Sequence, residues 1–542
     1  MLRRLPTRRR GASWAILLAT LFAVAVVAVL VLGRDAESGS APQPPRGGMV
    51  RIALRSADVD SLDPALSYSG LSGALLDTTC ARLLAQSPRG LVPDAAAAQP
   101  RRSPDGRTFT FRIRAGLRFS DGAPVRASAF ARAIHRTLAP GVESPWAAYT
   151  ADIIGAEQVL AGKAATAAGV VARGDTLVVR LKRPVPDFPF RTTVLCAVPP
   201  TLPADREGIA AFPAAGPYYV AEYRPAERVV IRRNRFYRGT RPQHVDGFTV
   251  DLRAASFGDV IDRIERGDAD WGWAMPAAYL DPERRLVEKY GVNRSQLFVR
   301  PGSTFRGYAL NTSRPLFREN PRLRQAVNFA IDRAALRRAG SGRHESRLTD
   351  QYLPPGMPGF RDADIYPLDG PDLRRARELA RGNTRSGRAL LATVDSPEQL
   401  AFAQSVKQSL AQIGLEVEIK GFPLPAYFGR LGAAGNFDIG FAPWLPDYDD
   451  PYAVLNILLD GRFVGATNWS RFDSAEHNRL LRNAALLGGE ARLRAYGDLD
   501  VRLARDVAPI VAVDVLNDVT FVSKRVGCVT PRFDLAAICL KA

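Results

Sequence analysis

Hydrophobic and polar positions alternate strictly in RTFTFRIRAGLRFSDG. Phe109, Phe111 and Ile113 fall on one face, and Thr110, Arg112 and Arg114 on the other. A period of two predicts a half-buried strand, here closed by an Asp121-Gly122 turn. The period then changes. In APVRASAFARAIHRTL, Phe130, Ile134 and Leu138 recur at helical spacing. DTLVVRLKRP and ERVVIRRN read as further strands, the first of them ended by Pro184 and Pro186.

The second half has its own rhythm. RALLATVD reads as a strand. In SPEQLAFAQSVKQSLAQIG, Ser396 is a natural N-cap and Pro397 suits the first turn. Leu400, Ala403, Val406, Leu410 and Ile413 form the buried stripe, and Gly414 stops the helix. LEVEIKGF follows as an alternating strand, LPAYFGRLGAAG as a short helix and FDIGFAPW as a strand. Strand, helix, strand, helix, strand predicts an α/β unit on a largely parallel sheet. Ligands bind beyond the carboxyl ends of such strands. The stretch that occupies this place is WLPDYDDPYAVL. It sets Asp447, Asp449 and Asp450 among Trp444, Tyr448 and Tyr452, with Pro446 and Pro451 on either side.

Those carboxylates sit in a basic chain. Its 542 residues carry 74 Lys+Arg against 55 Asp+Glu, a formal net charge of +19. Part of the excess lies in the head MLRRLPTRRRG; the rest is spread thinly, with no basic run interleaved with aromatics such as a nucleic-acid partner would require. After the head, residues 14–32 (WAILLATLFAVAVVAVLVL) carry no charge, and nineteen apolar residues suffice for a transmembrane helix. Arginines on its N-terminal side favour a cytoplasmic head and an extracytoplasmic remainder. An uncleaved anchor is preferred to a cleaved signal, whose apolar core is shorter. Residues 35–48 read as a tether. The four cysteines agree with export. Cys528–Cys539 closes a small loop and leaves Cys80–Cys196, out of three possible pairings.

Chemistry is sparse. The Gly-rich nucleotide motifs, the Walker loop, the nucleophile elbow and the zinc-protease motif are all absent. The four histidines are scattered, and the acidic cluster lacks the Gly and distal Glu of a calcium loop. No metal, cofactor or catalytic residue is expected, and the chain reads as a binding protein rather than an enzyme. An Asp in an aromatic-lined pocket is a receptor for a ligand ammonium, by charge and by cation–π attraction. The bland alternative is an Asp-rich turn.

Several blocks resemble the extracytoplasmic solute-binding proteins of peptide and nickel ABC importers. They are SLDPALSYSG; VPDAAAAQPRRSPDGRTFTFRIRAGLRFSDGAPVRASAFARAI; AAGPYYVAEYRPAERVVIRRNRFYRG; FRGYALNTSRPLFRENPRLRQAVNFAIDRAAL; and APWLPDYDDPYAVL. They run in family order from about residue 50 to the C-terminus. Ser128 stands where the family has an acidic residue, and the lipid-anchoring Cys of some relatives is absent. The resemblance implies a two-lobe α/β clamshell, type II-like with an extra inserted domain, preceded here by one N-terminal transmembrane helix. Lobe 1 would comprise 49–67, 196–300 and 507–542, with 68–195 inserted, and lobe 2 would comprise 301–506. Residues 1–48 would be head, anchor and linker.

The resemblance further implies a monomer that binds short peptides between its lobes at the outer face of the membrane and delivers them to ABC permease subunits. Asp447 would pair with the peptide α-ammonium. Asp449 and Asp450 would support the loop. Tyr308, Ala309, Leu310 and Asn311 fall where the family offers backbone hydrogen bonds to ligand. Trp444 and Tyr448 flank Asp447, with Trp444 either touching ligand or packing under the loop. Trp271 and Trp273 either line the cleft or belong to the core. The alternatives are another solute on the same fold, such as a nickel chelate or an oligosaccharide, and a membrane-anchored sensor or scaffold.

Overall fold

The strand expected at 109–113 is seen as Thr108–Arg112. It belongs to an antiparallel sheet ordered Arg101–Arg102, Thr108–Arg112, Thr176–Arg180, Val170–Arg173. The helix Ala127–Leu138 covers this sheet. Its Phe130, Ile134 and Leu138 share one core with Phe109, Phe111 and Ile113, as their periodicities require. The computed structural model describes residues 45–87, 90–340, 342–530 and 533–541. The apolar segment 14–32, and with it the expected anchor, lies outside these. Among the described residues no helix is long and apolar enough to cross a membrane.

A second sheet is ordered Trp271–Gly272, Met49–Ala53, Gly247–Asp251, Arg228–Arg233, Tyr218–Arg224. Its core gathers Val50, Ile52, Phe248, Val250 and Trp271 with the C-terminal Leu535 and Ile538. The first segment and the tail of the chain therefore share one core. Asp63, in the SLDPALSYSG block, ties this part to the first sheet. It is fully buried, and its carboxylate accepts from both Arg136 guanidinium nitrogens at 2.8 and 2.5 Å and from the Ile209 amide at 2.7 Å. Partner and extra donors together make such burial tolerable.

The third sheet is ordered Ser346–Leu348, Ile510–Phe521, Leu297–Leu310, Ile439–Phe441, Arg388–Val394, Glu416–Phe422. Arg388–Val394 runs parallel to both of its neighbours, as expected for the α/β unit. The rest is antiparallel, so the sheet is mixed, not largely parallel. Ser396 caps the helix Pro397–Ala411 by accepting from the Gln399 amide, and Ala403, Val406, Leu410 and Ile413 are buried while Leu400 is half-buried.

Two long strands run from one hydrophobic core to another. Leu297–Leu310 and Ile510–Phe521 pair antiparallel from Leu297↔Phe521 to Ala309↔Ile510, with register shifts between Pro301 and Phe305 and between Arg306 and Gly307. One end, Leu297 with Val519 and Phe521, packs among Ala53, Val260 and Ile264; the other, Tyr308–Leu310 with Val511 and Val513, packs in the core of the third sheet. Bulges disrupt the ladder and bend the strands between the two cores. Both disulfides form as paired above, Cys80–Cys196 and Cys528–Cys539.

Candidate functional site

The acidic loop leaves the carboxyl end of Ile439–Phe441 at the parallel edge. Trp444 starts it, its amide and carbonyl both bonded to Phe305 at 2.8 Å. The Trp444 indole donates to the Ala453 carbonyl at 2.7 Å and packs on Trp469. Trp444 therefore lies under the loop, bracing both of its ends.

The three aspartates then take different partners. Asp450 is buried and holds Arg492 through two bonds of 2.5 and 2.7 Å, while accepting from the Tyr452 amide. The Asp449 amide donates to Gln86 Oε1 at 3.1 Å. Asp447 is half-buried and accepts from the Tyr149 hydroxyl of the helix Ala147–Thr150. Among the described residues it has no ion-pair partner. Burial pushes its carboxyl above the usual range, and the Tyr149 hydrogen bond works against that rise. The phenols respond in kind: burial and then the Asp447 charge raise Tyr149 and Tyr68.

Aromatic rings line this position. Tyr68 meets Trp146 at 5.3 Å, Trp146 meets Tyr149 at 5.6 Å and Tyr149 meets Tyr448 at 6.1 Å. The Trp146 indole is fixed by the Ser67 carbonyl at 2.9 Å. Tyr448 is buried, stacks on Phe190 and donates to Asp187 at 2.8 Å. The Tyr448 hydroxyl thus docks the loop on the N-terminus of the helix Phe188–Arg191.

Other expected site residues lie elsewhere. Tyr308, Ala309 and Leu310 pair with Phe441, Gly440 and Ile439 on one side, and Tyr308 and Ala309 with Val511 and Ile510 on the other. A strand flanked on both sides has no free ladder for a ligand, so the expected backbone contacts there are corrected. Asn311 is fully buried, its amide spent on the Gly435 and Phe437 carbonyls and its oxygen on Ser313. Trp271 is 4% exposed and stacks on Phe533 in the core, the second of its two readings. Trp273 is half-buried against Phe257. Sequence reasoning missed Tyr149, Trp146, Tyr68, Asp187 and Gln86. The cluster Ser67-Tyr68 lay inside a noted block, but Tyr149 is 298 positions from its partner, and no local pattern links them.

Comparison with known proteins supplies the frame. "Bacterial extracellular solute-binding proteins, family 5 Middle" matches residues 90–465, more than half of the chain. The oligopeptide-binding protein OppA of Bacillus subtilis (strain 168) is 25% identical over 502 residues, covering 86% of this chain and 88% of its own. The probable deoxycholate-binding periplasmic protein YgiS of Escherichia coli (strain K12) is 24% identical over 483 residues, covering 84% and 86%. Among solved structures, the clavulanic acid biosynthesis oligopeptide binding protein 2 superposes with a TM-score of 0.83 at 24% identity, covering 92% of this chain and 97% of that one. That likeness shows the two-domain α/β periplasmic-binding-protein fold. With the match across residues 90–465, it follows that this chain belongs to family 5 of the bacterial extracellular solute-binding proteins.

Proposed function

We propose that the protein is the extracytoplasmic binding component of an ABC importer, enclosing a short peptide with its α-ammonium on Asp447. One observation carries the proposal. In a chain with 74 Lys+Arg, Asp447 is half-buried, ringed by aromatics and unpaired with any cation among the described residues. An ammonium supplies the missing charge, and the rings add cation–π attraction. The Tyr149 hydroxyl holds the carboxylate in place until then. Relatives named for oligopeptides support the same ligand class. The deoxycholate relative marks a second ligand chemistry, but an anionic bile acid would meet Asp447 as a like charge.

The lobes are taken as 49–67, 196–300 and 507–542, with 68–195 inserted, and 301–506. Residues 14–32 serve as membrane anchor, which would keep the binding protein beside its permease.

The experiment is native mass spectrometry of the chain from residue 45, which keeps the strand Met49–Ala53 whole, purified without refolding, beside an Asp447→Asn variant. The wild type should carry a set of short peptides and the variant should come off empty. Titration should show an N-acetylated peptide binding both proteins equally weakly. A non-peptide mass retained by both proteins would sink the proposal.

A further inference from the structure

We infer that the ligand is selected for a bulky apolar side chain within its first two residues, read by Leu424, Phe428 and Leu445. The inference rests on the peptide reading above and adds a side-chain preference to it.

The strands Arg388–Val394, Glu416–Phe422 and Ile439–Phe441 run parallel and end at one edge, where Val394 pairs with Phe422. The acidic loop leaves the last of them. The helix Leu424–Gly429 follows Glu416–Phe422, the outermost of the three. Tyr427 fixes that helix to the edge. Its side chain is fully buried, and its hydroxyl reaches the Ala392 and Phe441 carbonyls at 3.2 and 2.6 Å. Residues four apart share a helix face, so Leu424 and Phe428 stand together, and they are 54% and 37% exposed.

This exposed pair is not isolated. Phe428 lies 5.7 Å from Trp469, and Trp469 lies 6.0 Å from Trp444. Leu445, the next residue, is 58% exposed, and Asp447 follows two positions on. Single exposed apolar residues are ordinary; three on the segments that leave one sheet edge, two of them on one helix face with Phe428 backed by the buried Trp469, mark a contact surface. Leu445 stands two positions from the proposed ammonium receptor Asp447, so the occupant is the ligand's own adjoining side chain. Cations stand before and after this helix: Arg430 lies 4.4 Å over the Phe422 ring and Lys420 5.9 Å from it. A lysine side chain would meet like charge there.

Calorimetry with two peptide series tests the idea: X-Ala-Ala-Ala and Ala-X-Ala-Ala, each with X as Leu, Gly or Lys. The wild type should prefer Leu to Gly by about ten-fold, or about 1.4 kcal/mol, in at least one series, and should bind Lys no better than Gly. In a Leu424→Ser/Phe428→Ser variant the Leu-to-Gly ratio should fall to about two-fold or less. Both positions are exposed, so the variant keeps its core. A flat wild-type ranking, or a preference that survives the double substitution, overturns the inference while leaving the peptide reading intact. Failure of every peptide in both series overturns both.

Discussion

Asp447 sits where burial opposes its charge, and the two consequences have opposite signs for the empty and the loaded protein. Its carboxyl is raised by burial and held back by Tyr149. In the unfolded chain an aspartate titrates near 3.9. In the empty folded protein it titrates higher, so the fold holds its proton longer. Stability contributed by this group therefore declines as pH rises between the two values. On the proposed ammonium contact, ligand binding reverses the preference, because an ammonium favours the carboxylate. Affinity for an amine-terminated peptide should be level at neutral pH and fall as pH drops through the raised value. The same peptide carrying an N-acetyl group should show no such limb. Tyr149→Phe removes the hydrogen bond that lowers the titration, so the falling limb should move to higher pH. Titrations between about pH 4 and 7 with both proteins read this directly. A limb that moves down, or stays put, would remove Tyr149 from the account.

At the scale of elements, the loop stands on a buried ion pair. Asp450 and Arg492, the latter from the helix Gly489–Arg502, are both buried and doubly bonded. Asp450→Ala leaves a guanidinium buried without its anion, which costs about 3–5 kcal/mol. Urea denaturation should show that loss, and replacing both partners with apolar residues (Asp450→Leu with Arg492→Met) should recover much of it. Recovery fails only if the pair itself, and not the uncompensated charge, carries the stability. These elements were legible to different degrees. Ser396, Pro397 and the apolar stripe announced Pro397–Ala411, and the alternation at Phe109–Ile113 announced its strand, because local spacing suffices for both. The loop after FDIGFAPW was legible from its place at a strand end. The use of Leu297–Leu310 was not. A strand that offers its backbone to a ligand and one flanked by Ile510–Phe521 and Ile439–Phe441 have the same alternation, and only strand order separates them. The partners Tyr149 and Asp187 were hidden for a related reason. They stand on or beside four-residue helices, Ala147–Thr150 and Phe188–Arg191, too short to leave a periodic mark.

At the scale of the molecule, the stretch between Cys80 and Cys196 supplies Tyr149, Asp187, Phe190 and Gln86 to the acidic loop, so its attachment should matter to binding. The Cys80–Cys196 disulfide ties the two ends of that stretch together. Next to it, the Ala197 amide donates to the Ala81 carbonyl at 2.8 Å, and Arg82 bridges Cys196. The sequence separation is 116 residues, against 11 for Cys528–Cys539. In the chain-entropy account, cross-linking lowers the entropy of the unfolded chain more for a longer loop: about 5 kcal/mol at the first separation and about 3 at the second. Cys80→Ala with Cys196→Ala should therefore cost more in chemical denaturation than Cys528→Ala with Cys539→Ala. It should also weaken peptide affinity, since the rings around Asp447 are then held by packing and hydrogen bonds alone. The C-terminal pair lies in a two-stranded ribbon, Val526–Gly527 with Cys539–Leu540, and its loss should leave affinity near the parent value. Equal stability losses would mean that packing of Leu76 against the two half-cystines, and not loop closure, sets the cost. Unchanged affinity in the first variant would mean that the stretch between the two cysteines holds its place without the covalent tie.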